Sequence, residues 1–552
     1  MKRKIFLALA VFLLPFLSRA ERVSPQAAMQ EAETFFSSAR TRSGAGLRLT
    51  RVWPPETKAD MDEGFYIFNR DGGGFVFIAG DTSADAVLGY SCQGAFDPDD
   101  IPEGLRYWME ELSSHVRHAC EAGATGRPVP SEAQPVVEIV TAKWGQSSPF
   151  NDKCPEYALA GCVPVAMAIV MRAQKWPDAG VGTLDSYSYE DVHKKVHEVA
   201  GYDLGYGYDW DSMPLTGVTR DNVGEIATLI RDCGVMVKAL YSYTDDGTSS
   251  YAENILPAVK AHMKFDGAAA LRYSQYSSPR EWKEALWAEL DDSRPVLYTG
   301  IDANEEGHAF VLDGYDSDGR FHINWGWNGQ DNGYFVFPEF GQFVNRHSAI
   351  FGLRKDQGGS PVDYLVLKDL AADIDIEPGV KFNIEFTFHN HSDVLFQGQV
   401  AAARLGDDDT VKEIVSEEIS VEGVEPSSGL RFTNVTCNIG GSIEIGDVLT
   451  VLYRREGGTW TLMSYDVDNP GSAFIPLSEE RHLDEATSLS YDREKEVITL
   501  KTKEDAECSA SPEVRVEQGP DGEFRLSGFV TGTTYTVRLK SGKESFSFEI
   551  VR

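Results

Sequence analysis

The stretch Gly161-Cys162-Val163-Pro164-Val165-Ala166-Met167-Ala168-Ile169-Val170-Met171 is apolar on every side of a helix. Val163, Ala166, Met167, Val170 and Met171 fit the i, i+3, i+4, i+7, i+8 template, and Val165, Ala168 and Ile169 make the opposite face apolar too. Such a helix has no side to give to water, so it must run through the centre of a sizeable core. Pro164 suits only the first turn, and Trp176-Pro177 marks the end, because the residue before a proline disfavours the α region. Cys162 then stands at the positive end of a buried helix, where free N–H groups favour thiolate over thiol.

The seven cysteines are scattered, and an odd number leaves at least one thiol unpaired. Most read as small buried hydrophobes; Cys162 is set apart by position. Cys154, followed by Pro155 in a polar loop, competes as its disulfide partner, which would silence the site.

A thiolate in acyl transfer needs an imidazole to hold the ion pair and protonate the leaving amine. Among eleven histidines, His308 lies on a strand, Gly307 to Tyr315, that turns at Asp316-Ser317-Asp318-Gly319 and returns through Arg320 to Trp327. With the turn centred on Asp316, Asn324 falls nearly opposite His308, where its carbonyl would accept the imidazole N–H. His322 lies on the other strand and reads as structural. His308 follows Cys162 by 146 residues (308 − 162), inside the papain-type window of about 130–150; Asn324 lies just beyond it. The histidines and cysteines form no ligand-spaced cluster, so neither a metal nor an organic cofactor is implied.

The rest of the chain sets the context. Its 552 residues imply three or four domains. Asp and Glu number 86 against 51 Lys and Arg, a net charge of −35 that excludes a nucleic-acid partner and a polybasic membrane patch. Lys2, Arg3 and Lys4, the apolar run Ile5 to Leu17 and Ser18-Arg19-Ala20 form an export leader over 1–20, so a secreted protein, extracellular or at the cell surface, is expected. Residues 21–133 read as an α+β unit with a helix over 27–38, strands over 64–68 and 74–78, and an amphipathic helix over about 103–119. Glu121 to Gln134, rich in Ala, Gly, Pro and Ser, reads as an exposed linker open to cutting. Residues 134–355 hold the chemistry. Beyond them come a β-sandwich-like module over 356–478, where Val380, Phe382, Ile384, Phe386 and Phe388 alternate, and a last β module over 479–552 that ends in a hairpin.

Several pieces resemble the streptopain family of secreted bacterial papain-fold cysteine peptidases. They are Trp144 to Asn151 with Cys154-Pro155, Gly161-Cys162-Val163, Asp232 to Val235, Arg294 to Tyr298, Gly307 to Gly314 and Asn324-Trp325-Gly326-Trp327-Asn328-Gly329. In the leading unit Phe65 to Asn69, Gly74 to Asp81, Val87 to Tyr90 and Phe96 to Pro98 match as well. The resemblance implies an α+β fold: a papain-like catalytic domain, an inhibitory prodomain before it and β-sandwich-like modules after it. It implies a zymogen of a cysteine endopeptidase acting on protein or peptide substrates, inhibited by its own prodomain. Cys162 would be the nucleophile, His308 the acid and base, and Asn324 the group orienting His308. Gln146 would donate to the oxyanion, and Trp325 would shield the His308–Asn324 pair. A hydrophobic side chain is expected before the scissile residue. The tail modules would attach to a surface, the last one serving as a sorting domain read by an export machinery. Two other readings use the same residues: a catalytically silent scaffold acting as an adhesin or binding protein, and acyl transfer to an amine.

Overall fold

In the computed structural model, residues 22–38, 48–54, 64–122, 124–130, 133–191, 193–242, 247–301, 307–337, 346–406, 409–444, 446–477 and most of 488–551 are described. The leader predicted at 1–20 lies outside them. Among the described residues no helix is long and apolar enough to cross a membrane.

The leading unit begins with helix α1 (Pro25–Ser38) and continues through strands β1 (Leu49–Trp53), β2 (Phe65–Arg70), β3 (Phe75–Ala79) and β4 (Val87–Ser91) to helix α2 (Glu103–Glu121). Leu105, Trp108, Leu112, Val116 and Ala119 recur at helical spacing on the buried side of α2. Next come β5 (Pro135–Glu138) and the central helix α3 (Cys162–Gln174). Short strands β6 (Thr183–Leu184), β7 (Tyr187–Glu190), β8 (Val196–Val199) and β9 (Tyr202–Asp203) form two ribbons, followed by helices α4 (Gly224–Met236) and α5 (Ile255–Met263). Strand β10 (Ala270–Tyr273), helix α6 (Pro279–Asp291), and strands β11 (Val296–Ile301), β12 (Gly307–Asp316), β13 (Phe321–Asn324), β14 (Gly333–Phe335) and β15 (Arg346–Phe351) complete this half.

One antiparallel sheet joins the two units, in the order β1-β2-β3-β4-β14-β13-β12-β11-β15-β10, with β5 added on β12. The junction is the pairing of β4 with β14, Tyr334 opposite Tyr90 and Phe335 opposite Gly89. Helix α2 lies on this sheet and shares one core with it: Leu105, Trp108 and Leu112 pack with Trp282, Tyr298, Phe310, Trp325 and Phe335. A second core surrounds α3, α4 and α5. Every α3 residue from Val163 to Met171 is buried, as its all-round apolar character requires.

Much of the segment after α2 is exposed, as expected of a linker, but it is also tied down. Residues 124–128 form a strap. Gly126 N–H donates to Thr82 O at 3.0 Å, Arg127 O accepts from Ala86 N–H at 2.9 Å, and Arg127 N–H donates to Asp85 Oδ1 at 2.8 Å. The Arg127 guanidinium adds a fork onto Asp85 and reaches Asp318 O at 3.2 Å, across to the β12–β13 turn. Ala, Gly and Pro here follow a surface closely rather than confer freedom. Arg127→Ala is expected to speed cutting within 121–134 by added protease several-fold while costing under about 1 kcal/mol of global stability, since the pair is half exposed; a time course on gels together with a thermal melt checks both.

Beyond 356, Leu365–Ala372, Lys381–Asn390 and Gly429–Asn438 form a three-stranded sheet. A six-stranded sheet is built around Phe396–Leu405 and Val448–Arg454. Phe382, Ile384, Phe386 and Phe388 are buried in alternation, whereas Val380 precedes the strand and is exposed. Lys260 Nζ and Asp393 Oδ2, 2.7 Å apart, tie this module to the half that carries α3. The last module pairs a four-stranded with a three-stranded sheet and ends in the hairpin Thr534–Ser541 and Glu544–Val551.

Candidate active site

Cys162 is the first residue of α3. Gly161 before it has φ 88°, and a Cβ there would lie 3.0 Å from both Thr248 Cγ2 and Thr248 O. Only glycine fits both the left-handed turn and the close approach. All seven cysteines are free thiols, so Cys154 does not block Cys162. The sulfur is turned inward toward β12, where the main-chain N–H of Ala309 faces it. His308, half-buried, is the neighbouring residue on that strand and pairs with Gly300 of β11.

Helix α2 covers this corner. The Tyr107 ring lies against the His308 imidazole, centroids 5.5 Å apart, and its hydroxyl bonds to His347 Nε2 at 3.1 Å. A Cβ on Gly300 would meet that hydroxyl at 1.8 Å, so this site on β11 must be glycine for the helix to seat. Glu111, one turn on, reaches His347 Nε2 at 3.3 Å, both side chains being buried.

The thiol does not have the lowered pKa expected from the helix dipole alone. Burial pushes the Cys162 thiol up; the Ala309 N–H works against this, Glu103 at the head of α2 adds to it, and the Val163 and Cys162 N–H groups pull down. Desolvation outweighs the N–H groups that favour the thiolate. Cys162 should therefore alkylate slowly at neutral pH in the intact chain. Glu103→Gln, which removes a like charge, should move the alkylation midpoint to lower pH. Peptide-resolved mass spectrometry of iodoacetamide labelling against pH measures both.

Asn324 is not opposite His308. Tyr315 pairs with Phe321 and Gly314 with His322, so the turn centres near 318, and a bulge between Leu312 and Gly314 shifts the register until Asn324 faces Val311. Three residues along a strand is about 10 Å. Asn324 Nδ2 donates to Thr141 Oγ1 and Ala142 O, each at 2.9 Å, and Oδ1 accepts from Gly326 N–H at 3.1 Å. Its amide thus clamps the 141–142 segment that leads to Gln146. Thr141 continues this chain of bonds to Asp313, which in turn holds His322. Burial alone would lower the His322 imidazole, but Asp313 outweighs it and raises the pKa.

Gln146 is buried, and its carbonyl accepts from Ala160 N–H at 2.9 Å, tying it to the segment just before Cys162. Trp325, also buried, packs on Phe310 and Phe335 at 5.1 and 5.4 Å and donates Nε1–H to Asp331 O at 2.9 Å. Gly104 of α2 sits against its ring. Glu103, Gly104, Tyr107 and Glu111 escaped sequence reading as site residues. Their only signal was their shared flank of an amphipathic helix, which says where core lies and not which core.

Residues 144–335 match the model of the peptidase C10 family, and residues 20–116 match the Spi protease inhibitor model. Residues 144–335 are a domain of the peptidase C10, or streptopain, family. The chain is 31% identical over 428 residues to the thiol protease/hemagglutinin PrtT of Porphyromonas gingivalis, covering 71% of this chain and 47% of that one. It is 27% identical over 295 residues to streptopain of Streptococcus pyogenes, covering 49% of this chain and 73% of that one. The chain thus spans about half the length of PrtT. A prointerpain A fragment of Prevotella intermedia superposes with a TM-score of 0.46 at 22% identity, over 56% of this chain and 99% of the fragment. The catalytic half is papain-like, with an α+β inhibitor domain before it and a β-rich region after it.

Proposed function

We propose that the chain is the zymogen of an exported cysteine endopeptidase. Cys162 attacks a peptide carbonyl, His308 carries its proton to the leaving amine, and water then hydrolyses the acyl-enzyme. The observation that carries this reading is the sulfur at the head of a buried helix facing the main chain beside His308. Gln146 and the Cys162 N–H serve as oxyanion donors, a contribution worth about 2.7–4 kcal/mol in comparable sites. Asn324 and Trp325 act as positioning residues: the first holds the segment carrying Gln146 to the hairpin, the second anchors the loop that follows.

Residues 21–133 form the latent part. Tyr107 on His308 and Glu103 near Cys162 keep the pair from forming a thiolate–imidazolium, and activity begins once α2 leaves. Substrates are proteins or peptides with a hydrophobic side chain before the scissile residue. The leader over 1–20 directs export to the outside of the cell or its surface. The β modules over 356–478 and 479–552 attach the enzyme to a surface or to the export machinery. The test is to follow the purified full-length chain by mass spectrometry over time, with and without a thiol-alkylating agent. Alkylation-sensitive loss of residues up to the 121–134 region supports the reading; cutting indifferent to alkylation at Cys162 defeats it.

A further inference from the structure

Asp331, in the loop after the β12–β13 hairpin, is a carboxylate that the proposed reaction leaves unused. It is 6% exposed, and neither side-chain oxygen receives a hydrogen bond of good geometry. Its own carbonyl holds Trp325 Nε1–H at 2.9 Å, and Asn332 Oδ1 next to it accepts Trp325 N–H at 3.1 Å. The inhibitor-domain loop that precedes α2 closes over it. The Gln330 side-chain amide donates to Asp100 O, and the carboxylates of Asp97 and Asp100 act on Asp331 from that loop. Among the described residues no cation acts on Asp331. Three carboxylates thus act on one another at one seam with no counter-charge among the described residues, the most enclosed having only the Gln330 amide beside it. A buried group so placed is tolerated as the neutral acid and not as the anion.

We propose that Asp331 is a proton-operated latch between the two domains: protonated, it lets the Asp97–Asp100 loop and α2 stay seated, and ionised, it drives them off. The latch rests on the zymogen reading, whose regulation it specifies. Burial first, then Asp100 and Asp97, push the Asp331 carboxyl from its ordinary 3.8 up to about 7, with the Gln330 amide pulling the other way. Once the loop lifts, Asp331 meets water and its pKa falls back. The seated form therefore binds the proton more tightly. Its advantage is full below the ordinary carboxylate pKa, and it is lost as pH rises toward 7. Acid holds the chain latent and neutral conditions release it.

Other ionisable groups at the seam have opposite partners, across it or on their own side. Glu111 meets His347, Arg127 meets Asp85 and the Asp318 carbonyl, and Arg320 joins Asp316, which also accepts the Tyr90 hydroxyl. They supply a background pH dependence, and a variant of Asp331 separates it.

The test compares full-length Cys162→Ala with Cys162→Ala/Asp331→Asn by hydrogen exchange of the β4 amides, corrected for intrinsic rates, between pH 5 and 8. With Asp331 present, the opening constant should rise roughly fifty- to a hundred-fold over that range beyond the background; with Asn, an isosteric stand-in for the protonated acid, only the background should remain. Asp97→Asn/Asp100→Asn, which leaves Asp331 in place, should reduce the rise and serves if the Asn variant does not fold. Equal pH dependence in all forms, or tighter seating at pH 8 than at pH 5, would overturn the latch. Neither protein needs to cleave anything. Absence of Cys162-dependent proteolysis in the wild type would therefore fail the peptidase reading and leave the exchange result standing.

Discussion

Cys162→Ala is expected to lower peptide hydrolysis by roughly 10⁴-fold or more and to leave the full-length chain uncut on storage. Removing a nucleophile abolishes the covalent route, and the remaining groups act together, so little of the rate survives. The change deletes one sulfur at the first residue of α3, beside Ala309, and fills no new space, so the fold should persist. Initial rates on a peptide substrate, mass spectrometry of the stored protein and a thermal melt give the three readouts. A variant that still trims itself at a rate near wild type would remove Cys162 from the mechanism. His308→Ala should cost a similar amount, because the same proton must still leave the thiol and reach the amine.

Trp108→Ala should abolish latency. Trp108 is fully buried and packs edge-on against Phe337, Phe310, His347 and Tyr298 at 5.4, 5.8, 5.9 and 6.4 Å. Every one of those partners belongs to the catalytic half, so the indole spans the seam. Truncating such a residue costs about 3–5 kcal/mol in transfer and cavity terms, which corresponds to a shift of roughly 10²- to 5 × 10³-fold toward the unseated form. Self-processing of the full-length chain and alkylation of Cys162 should both accelerate by a large part of that factor. The specific activity after processing should match wild type, because residue 108 departs with the inhibitor domain. Unchanged processing, or a processed enzyme with reduced activity, would show that the indole does not hold the seam.

Much of the local structure was legible because single periods decide it. The all-round apolar run 163–171 could only be a central helix, and the alternation from Phe382 to Phe388 could only be a strand buried on one face. The antiparallel hairpin was legible as well, since Asp316 to Gly319 carries turn chemistry between two strand-like runs. Its register was not. A bulge adds one residue to one strand without disturbing the apolar pattern, and with the turn centred two residues later it moved Asn324 from His308 to Val311.

The attachment of the linker was not legible for a related reason. Its composition permits an exposed tether and equally permits a strap, and the choice is made by Thr82, Asp85 and Ala86, some forty residues earlier. The thiol of Cys162 followed the same rule. A helix N-terminus is written in the chain, but the burial that pushes the pKa the other way, and the Glu103 carboxylate of α2 that adds to it, come only with the tertiary fold.

The amino-acid order alone determined which residues can do chemistry, where the central helix and the alternating strands run, and which family they resemble, because these depend on neighbours within a turn or a strand. Tertiary structure alone decided the partners of Asn324, the protonation of Cys162, the seating of Tyr107 on His308 and the isolation of Asp331. Those depend on solvent excluded, and charges brought near, by segments far apart in the chain, and no local pattern encodes either.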